Sequence, residues 1–159
     1  MIAVGDRIPD VELKAVTTDG TEDVNTGALL GTGRVVLFGV PGAFTPVCSD
    51  FHLPGFVLKT DDLKAKGVEQ IFCVSVNDAF VMGAWGRSED AVGITMLADA
   101  DAAFTTAMGL AVDASSFGLG TRSERYAAVL EDGVVVSLEV EKTFVDHEVS
   151  TAEHVLASL

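Results

Sequence analysis

Hydrophobic residues in this chain fall into runs of two kinds, alternating and continuous. Residues 11–16 (VELKAV) alternate, and together with 21–24 they flank Asp19-Gly20, a favoured tight-turn dipeptide, and so predict an N-terminal β-hairpin. Residues 34–38 (RVVLF), 70–76 (QIFCVSV) and 94–98 (ITMLA) are apolar at successive positions, as strands buried on both faces are. Helical segments are expected between them. One turn at 26–30 stops at Gly31-Thr32-Gly33, and since no helix follows those glycines they do not form a phosphate cradle. A helix opens at Thr45-Pro46, is kinked at Pro54-Gly55, and resumes over 56–66 up to Gly67. Asn77-Asp78 cap a helix over 79–85 that Gly86 stops, and Asp99 caps one over 101–108 that Gly109 closes. Residues 110–123 read as a Ser- and Gly-rich loop. A second hairpin, 124–130 and 134–140, turns at Glu131-Asp132-Gly133. Ser150-Thr151-Ala152-Glu153 has the pattern of a capping box, opening a last helix that points Val149, Ala152, Leu156 and Leu159 at the core.

The order is hairpin, three strand–helix units, hairpin, helix. Alternating strands and helices imply parallel strands, and the hairpins add antiparallel ones. The expected fold class is α/β: a thioredoxin-like sandwich with a central mixed sheet, helices on both faces and an N-terminal β-hairpin. With no repeat, low-complexity tract or linker, residues 1–159 are expected to form a single domain.

Composition narrows the function. The chain is 48% hydrophobic and 21% charged with mean hydropathy +0.39, values of a folded globular protein. No apolar run nears the roughly 18 residues of a membrane span. The N-terminus has no basic region followed by an apolar core, so the expected location is cytoplasmic. A formal net charge of −14 argues against nucleic acid and against anionic membranes as partners, since both need a basic surface. It also makes any arginine set beside a reactive group a large local perturbation. The two cysteines, Cys48 and Cys73, make no disulfide framework, and the absence of Cys-x-x-Cys weakens both a zinc site and a dithiol oxidoreductase. His147 and His154 have no metal-ligand spacing, so no metal is expected. Asp99 and Asp101 read as helix-start acids.

The chemistry gathers at Phe38-Gly39-Val40-Pro41-Gly42-Ala43-Phe44-Thr45-Pro46-Val47-Cys48. Thr45 suits an N-cap and Pro46 the first helical position, where its missing N–H costs nothing. Cys48 then lies in the first turn, near unpaired backbone N–H groups and the positive end of the helix dipole. A thiol held there is biased toward thiolate, the nucleophilic form.

Pro41-x-x-x-Thr45-x-x-Cys48 resembles the active-site signature of the peroxiredoxins, and PGAFTPVCS resembles their atypical branch, which includes animal peroxiredoxin-five and the plant type II enzymes. His52-Leu53-Pro54-Gly55-Phe56, Ser75-Val76-Asn77-Asp78, Ala84-Trp85-Gly86 and Arg125-Tyr126 extend the match over essentially the whole chain. The resemblance implies a thiol peroxidase that reduces hydrogen peroxide and alkyl hydroperoxides without metal or organic cofactor. Cys48 would attack the peroxide and become a sulfenic acid. Thr45, one turn earlier, would offer its hydroxyl to thiolate or peroxide. Arg125 would stabilise the thiolate and the departing oxygen, with Arg122 its competitor for that role. Pro41 and Gly42 would shape the peroxide pocket, and Pro41 would shield the sulfur. His52, four residues after Cys48, would orient the site.

Cys73, in an apolar β-branched run, reads as an inert core thiol, with resolving cysteine as the alternative. Many atypical members carry a resolving cysteine near the C-terminus, and Glu148-Val149-Ser150-Thr151 has none. A one-cysteine cycle is therefore expected, reduced by glutathione, glutaredoxin or thioredoxin. Branch members commonly form dimers, so a homodimer is expected too. The competing reading is a peroxide sensor or chaperone-like protein that oxidises the same Cys48.

Overall fold

The computed structural model describes residues 1–17, 19–143 and 145–159. β1 (Glu12–Thr17) and β2 (Gly20–Asn25) make the N-terminal hairpin, followed by the single turn α1 (Thr26–Leu29). β3 (Arg34–Val40) leads into a helical stretch that includes α2 (Leu53–Leu58) and α3 (Thr60–Ala65). Next come β4 (Gln70–Ser75), α4 (Ala79–Ser88), β5 (Thr95–Ala98) and α5 (Ala103–Met108). β6 (Ala111–Asp113) and β7 (Thr121–Ser123) pair as a small separate sheet, and the hairpin β8 (Tyr126–Glu131) and β9 (Val134–Val140) precedes α6 (Ala152–Ser158). The main sheet has seven strands in the order β2-β1-β5-β4-β3-β8-β9, with β3, β4 and β5 parallel and the remaining pairs antiparallel. This is the mixed sheet with an N-terminal hairpin that the pattern predicts.

The continuous apolar runs are explained by helices on both faces. Val36, Phe38 and Val40 of β3 point into a core closed by Leu53, Phe56, Leu63, Met82, Trp85, Ala152 and Val155, from α2, α3, α4 and α6. Val35 and Leu37 point the other way, into a core shared with Leu30, Phe104 and Met108. A strand with two dry faces has no polar position to alternate.

Several boundaries differ from the expectations for local reasons. Residues 110–123 hold a two-stranded sheet and a 3-10 turn (Ser115–Phe117) rather than plain loop. Gly86 does not end α4, which runs on to Ser88; helical glycine costs only about 1 kcal/mol, and here it lets the helix lie close on Met96 of β5. Asp99 caps as expected, accepting from Phe104 N at 3.0 Å and Thr105 N at 2.8 Å, although α5 starts only at Ala103. The last helix is capped by Thr151, which accepts from His154 N at 3.0 Å, and not by Ser150. Its buried residues are Ala152 and Val155, while Val149, Leu156 and Leu159 are half-buried.

Candidate active site

β3 delivers the chain to the site. Beyond Val40, residues Pro41, Gly42 and Ala43 are buried, and Phe44 turns outward with φ 64° and its side chain exposed. Asn77, at the end of β4, ties this loop down: its Oδ1 accepts from Ala43 N at 3.0 Å and from Ser75 Oγ at 2.6 Å. Arg122 closes the other side, donating from Nη1 to Val76 O at 2.9 Å and from Nε to Leu119 O at 2.8 Å. A Cβ on Gly42 would lie 3.1 Å from Thr45 Cγ2 and 3.3 Å from Arg122 Nη1, so the glycine lets loop and arginine pack closely, and a larger residue would push these side chains back by a few tenths of an ångström.

The helix that follows is not uniform. After a first turn at Pro46-Val47, Cys48–His52 is π-helical, closed by Leu53 N on Cys48 O, and α2 continues from it. Pro54 stands just beyond this wide turn. A proline supplies no N–H, and its ring presses on the carbonyl four residues back, here that of Asp50; an extra residue in the turn relieves both. The break therefore falls before Pro54 and again at Lys59, between α2 and α3, instead of at Pro54-Gly55. Trp85 fastens this helix to α4, donating from Nε1 to Ser49 Oγ at 3.0 Å.

Cys48 and His52 are fully buried, and Arg125, one residue before β8, is 1% exposed. Arg125 Nη2 donates to Cys48 Sγ at 3.1 Å, and its Nη1 lies 2.9 Å from His52 Nδ1. A guanidinium has only donors, so His52 Nδ1 must accept, and the ring proton sits on Nε2. That nitrogen in turn donates to Ser150 O at 2.9 Å. Burial, reinforced by the Arg125 charge, holds the His52 pKa well below 6.5, against the raising effect of the Ser150 hydrogen bond. The imidazole is thus neutral at pH 7. It orients the guanidinium without competing with it for an anion. A buried, permanently charged guanidinium gains its counter-charge when Cys48 ionises, and a charge-assisted hydrogen bond of this kind is worth about 1.5–3 kcal/mol.

The register of the sheet makes this meeting possible. β8 pairs antiparallel with β3, setting Tyr126 opposite Gly39, so the residue before Tyr126 emerges beside the loop that β3 feeds. Gly39 is obligatory here, because a Cβ on it would fall 2.7 Å from Tyr126 Cζ and 2.8 Å from Tyr126 Cδ1.

Of the residues singled out in the sequence, Cys48, Arg125 and His52 come together, and Pro41, Gly42 and Thr45 line the loop leading to them. Thr45 differs from its expected role as a side-chain cap: its hydroxyl donates to Gly42 O at 2.6 Å, and only its carbonyl enters the helix, accepting from Ser49 N at 2.9 Å. His52 acts on Arg125 and not directly on the sulfur. Arg122 builds the loop and holds Val76 and Leu119 instead of Cys48. Cys73, opposite Phe38 in β4, is fully buried, and burial pushes its thiol well up, with the Cys48 charge adding to the shift and Arg125 opposing it. That suits an inert core thiol. His147, weighed from the sequence only as a metal ligand, has its ring 5.3 Å from that of His52, and Glu141 is a buried acid that sequence reasoning did not single out. Nothing in the sequence around Glu141 singles it out, since Glu139 precedes it in β9 and Lys142 follows it. Among the described residues no group of three or more His, Cys, Asp or Glu could hold a metal.

A buried thiol held by a guanidinium, at a helix start on a sheet of this topology, defines a thiol-based redox protein. Comparison with known proteins agrees. The redoxin family matches residues 3–156. Peroxiredoxin-2E-2, chloroplastic, of Oryza sativa subsp. japonica is 48% identical over 99% of this chain and 72% of its own. Reduced Prx3 of Vibrio vulnificus, solved in complex with hydrogen peroxide, is 50% identical over 99% of each chain with a TM-score of 0.94. The Plasmodium falciparum antioxidant protein, a 1-Cys peroxiredoxin, is 28% identical over 97% of this chain and 96% of its own, with a TM-score of 0.90. The chain belongs to the redoxin family and, within it, to the atypical peroxiredoxins, thiol peroxidases that act on peroxides and draw on thiol reductants.

Proposed function

We propose that this peroxiredoxin runs a one-cysteine cycle on hydrogen peroxide and alkyl hydroperoxides, with Cys48 as the only thiol that turns over. The Arg125–Cys48 contact at 3.1 Å is the observation that carries the reading. The Cys48 thiolate attacks the nearer peroxide oxygen and forms an S–O bond as the O–O bond breaks. The leaving oxygen takes a proton and departs as water or alcohol, leaving Cys48 as sulfenic acid. Arg125, already aimed at the sulfur by His52, stabilises the charge that moves onto that oxygen. Thr45, its proton on Gly42, keeps a lone pair that can accept the O–H of the peroxide within the pocket of Pro41 and Gly42.

A small thiol then condenses with the sulfenic acid, releasing water, and a second thiol displaces it as a disulfide. The buried Cys73, with its raised pKa, supports an external reductant, either glutathione, a glutaredoxin or thioredoxin. Exposed Phe44 and Phe117 offer apolar surface for the homodimer that the family resemblance implies. The cytoplasm expected from the sequence is a compartment where such thiols are kept reduced.

The test is to give purified protein stoichiometric peroxide, with and without glutathione, and to weigh the products by mass spectrometry while following peroxide loss. Sulfenic acid or mixed disulfide at Cys48 with many turnovers is the expected result. An internal Cys48–Cys73 disulfide would overturn the one-cysteine cycle. Consumption of a single equivalent in excess thiol would favour the peroxide sensor.

A further inference from the structure

Glu141 follows β9 and is 5% exposed, an unusual place for a carboxylate. Its Oε1 accepts from Glu148 N, Val149 N and Ser150 N, each at 2.8 Å, and from Ser150 Oγ at 2.8 Å. Three successive backbone N–H groups turned onto one oxygen form an anion nest around a residue of the chain itself. Burial alone would raise the Glu141 pKa, but these hydrogen bonds from Ser150, Glu148 and Val149 outweigh it and lower it, so the group is a carboxylate at neutral pH.

The nest also closes a loop through the active site. Glu141 N donates to Arg125 O at 2.9 Å. Ser150, held by the carboxylate, presents its own carbonyl to His52 Nε2 at 2.9 Å, and His52 Nδ1 receives Arg125 Nη1 at 2.9 Å. Arg125 is therefore gripped at both ends by the same acid: at its backbone directly, and at its guanidinium through Ser150 and His52. We propose that Glu141 is a positioning residue for peroxide reduction, whose carboxylate locks the Ser150 carbonyl in place and thereby fixes the His52 tautomer and the aim of Arg125 at Cys48.

The inference rests on the peroxidase reading, yet its test does not need turnover. Oxidation of reduced protein by excess hydrogen peroxide is followed without reductant, using the single tryptophan, Trp85, hydrogen-bonded beside Cys48 at Ser49. Glu141→Gln keeps the shape and one acceptor oxygen but removes the charge. Glu141→Ala removes the carboxylate and leaves the nest without its acceptor. The first is expected to slow oxidation by about tenfold and the second by more, with unchanged circular dichroism. Nitrogen-15 NMR of the histidine rings supplies a readout that a merely structural acid would not move: the hydrogen-bonded His52 Nε2–H signal shifts or broadens in both variants. Should either fail to fold, Ser150→Ala, which removes one of the four donors, is measured in the same way and is expected to give a smaller change of the same sign. Folded variants that oxidise at the wild-type rate would overturn the proposal, as would a slowed rate with the His52 signals unmoved. Failure of the peroxidase reading would instead appear in the wild-type protein, as oxidation that thiols do not reverse.

Discussion

Replacing Arg125 by lysine keeps one positive charge in the pocket and removes the fork. In the native site two guanidinium nitrogens serve two partners at once, Cys48 Sγ at 3.1 Å and His52 Nδ1 at 2.9 Å. A single ammonium is a point charge on a flexible stem and cannot hold both at this geometry. If it keeps His52, the sulfur loses its donor; if it keeps the sulfur, nothing aims it. Either way one hydrogen bond to a charged group is lost, worth about 1.5–3 kcal/mol. At 1.4 kcal/mol per factor of ten, oxidation of Cys48 should slow by roughly 10- to 150-fold. The assay is stopped-flow Trp85 fluorescence of reduced protein mixed with excess hydrogen peroxide, giving a second-order rate constant, with circular dichroism to verify folding. Arg122→Lys is the comparison: Arg122 supports the loop through Val76 and Leu119 without touching the sulfur, and should slow this rate clearly less than Arg125→Lys. An unchanged rate in Arg125→Lys, or an equal loss in Arg122→Lys, would refute the reasoning.

Three further outcomes are expected. Cys73→Ala should cost about 1 kcal/mol of stability, as a small buried deletion does, and leave a glutathione-driven cycle running; a folded variant without turnover would make Cys73 the resolving thiol. Gly39→Ala forces a methyl into the Tyr126 ring and should destabilise by about 1–3 kcal/mol in urea titration. Because Tyr126 adjoins Arg125, it should also slow peroxide reduction, and wild-type stability would contradict the packing described for β3 and β8. Acid should weaken the fold from above the carboxylate range. The folded pKa of His52 lies below its ordinary 6.5, so the unfolded chain binds a proton that the native one refuses. Stability then falls as pH drops below about 6.5, by up to about 1.4 kcal/mol per unit for each such group. His147, lowered by burial and by Arg125, adds the same sign, and Glu141 joins lower down as pH falls below 4.5. Equal urea midpoints at pH 7 and pH 5.5 would contradict a buried neutral His52.

The fold and half of the site were readable because they rest on short-range physics. Alternation ahead of Asp19-Gly20, the continuous runs of β3, β4 and β5, and the turn into Cys48 are written in neighbouring residues, and the sheet follows them. Boundaries failed where packing overrode a local signal. Gly86 sits inside α4 where the helix lies close on β5, a Cβ there falling 3.2 Å from Met96 Cγ. Ser150, read as a cap, is drawn off by Glu141, and Thr151 takes the cap instead.

What the sequence alone determines is the setting of the candidate thiol in the chain: a cysteine in a first helical turn, after a buried strand and a Pro/Gly loop. Arg125 is legible in the sequence only through resemblance, since nothing in its own neighbourhood says that it meets a residue 77 positions away. The antiparallel pairing of β8 with β3 decides that meeting, and the return of residues 148–150 beneath Glu141 decides the state of His52. These are long-range contacts between buried polar groups. In a dry interior each donor and acceptor must find a partner, and only the folded chain says which partner lies within reach.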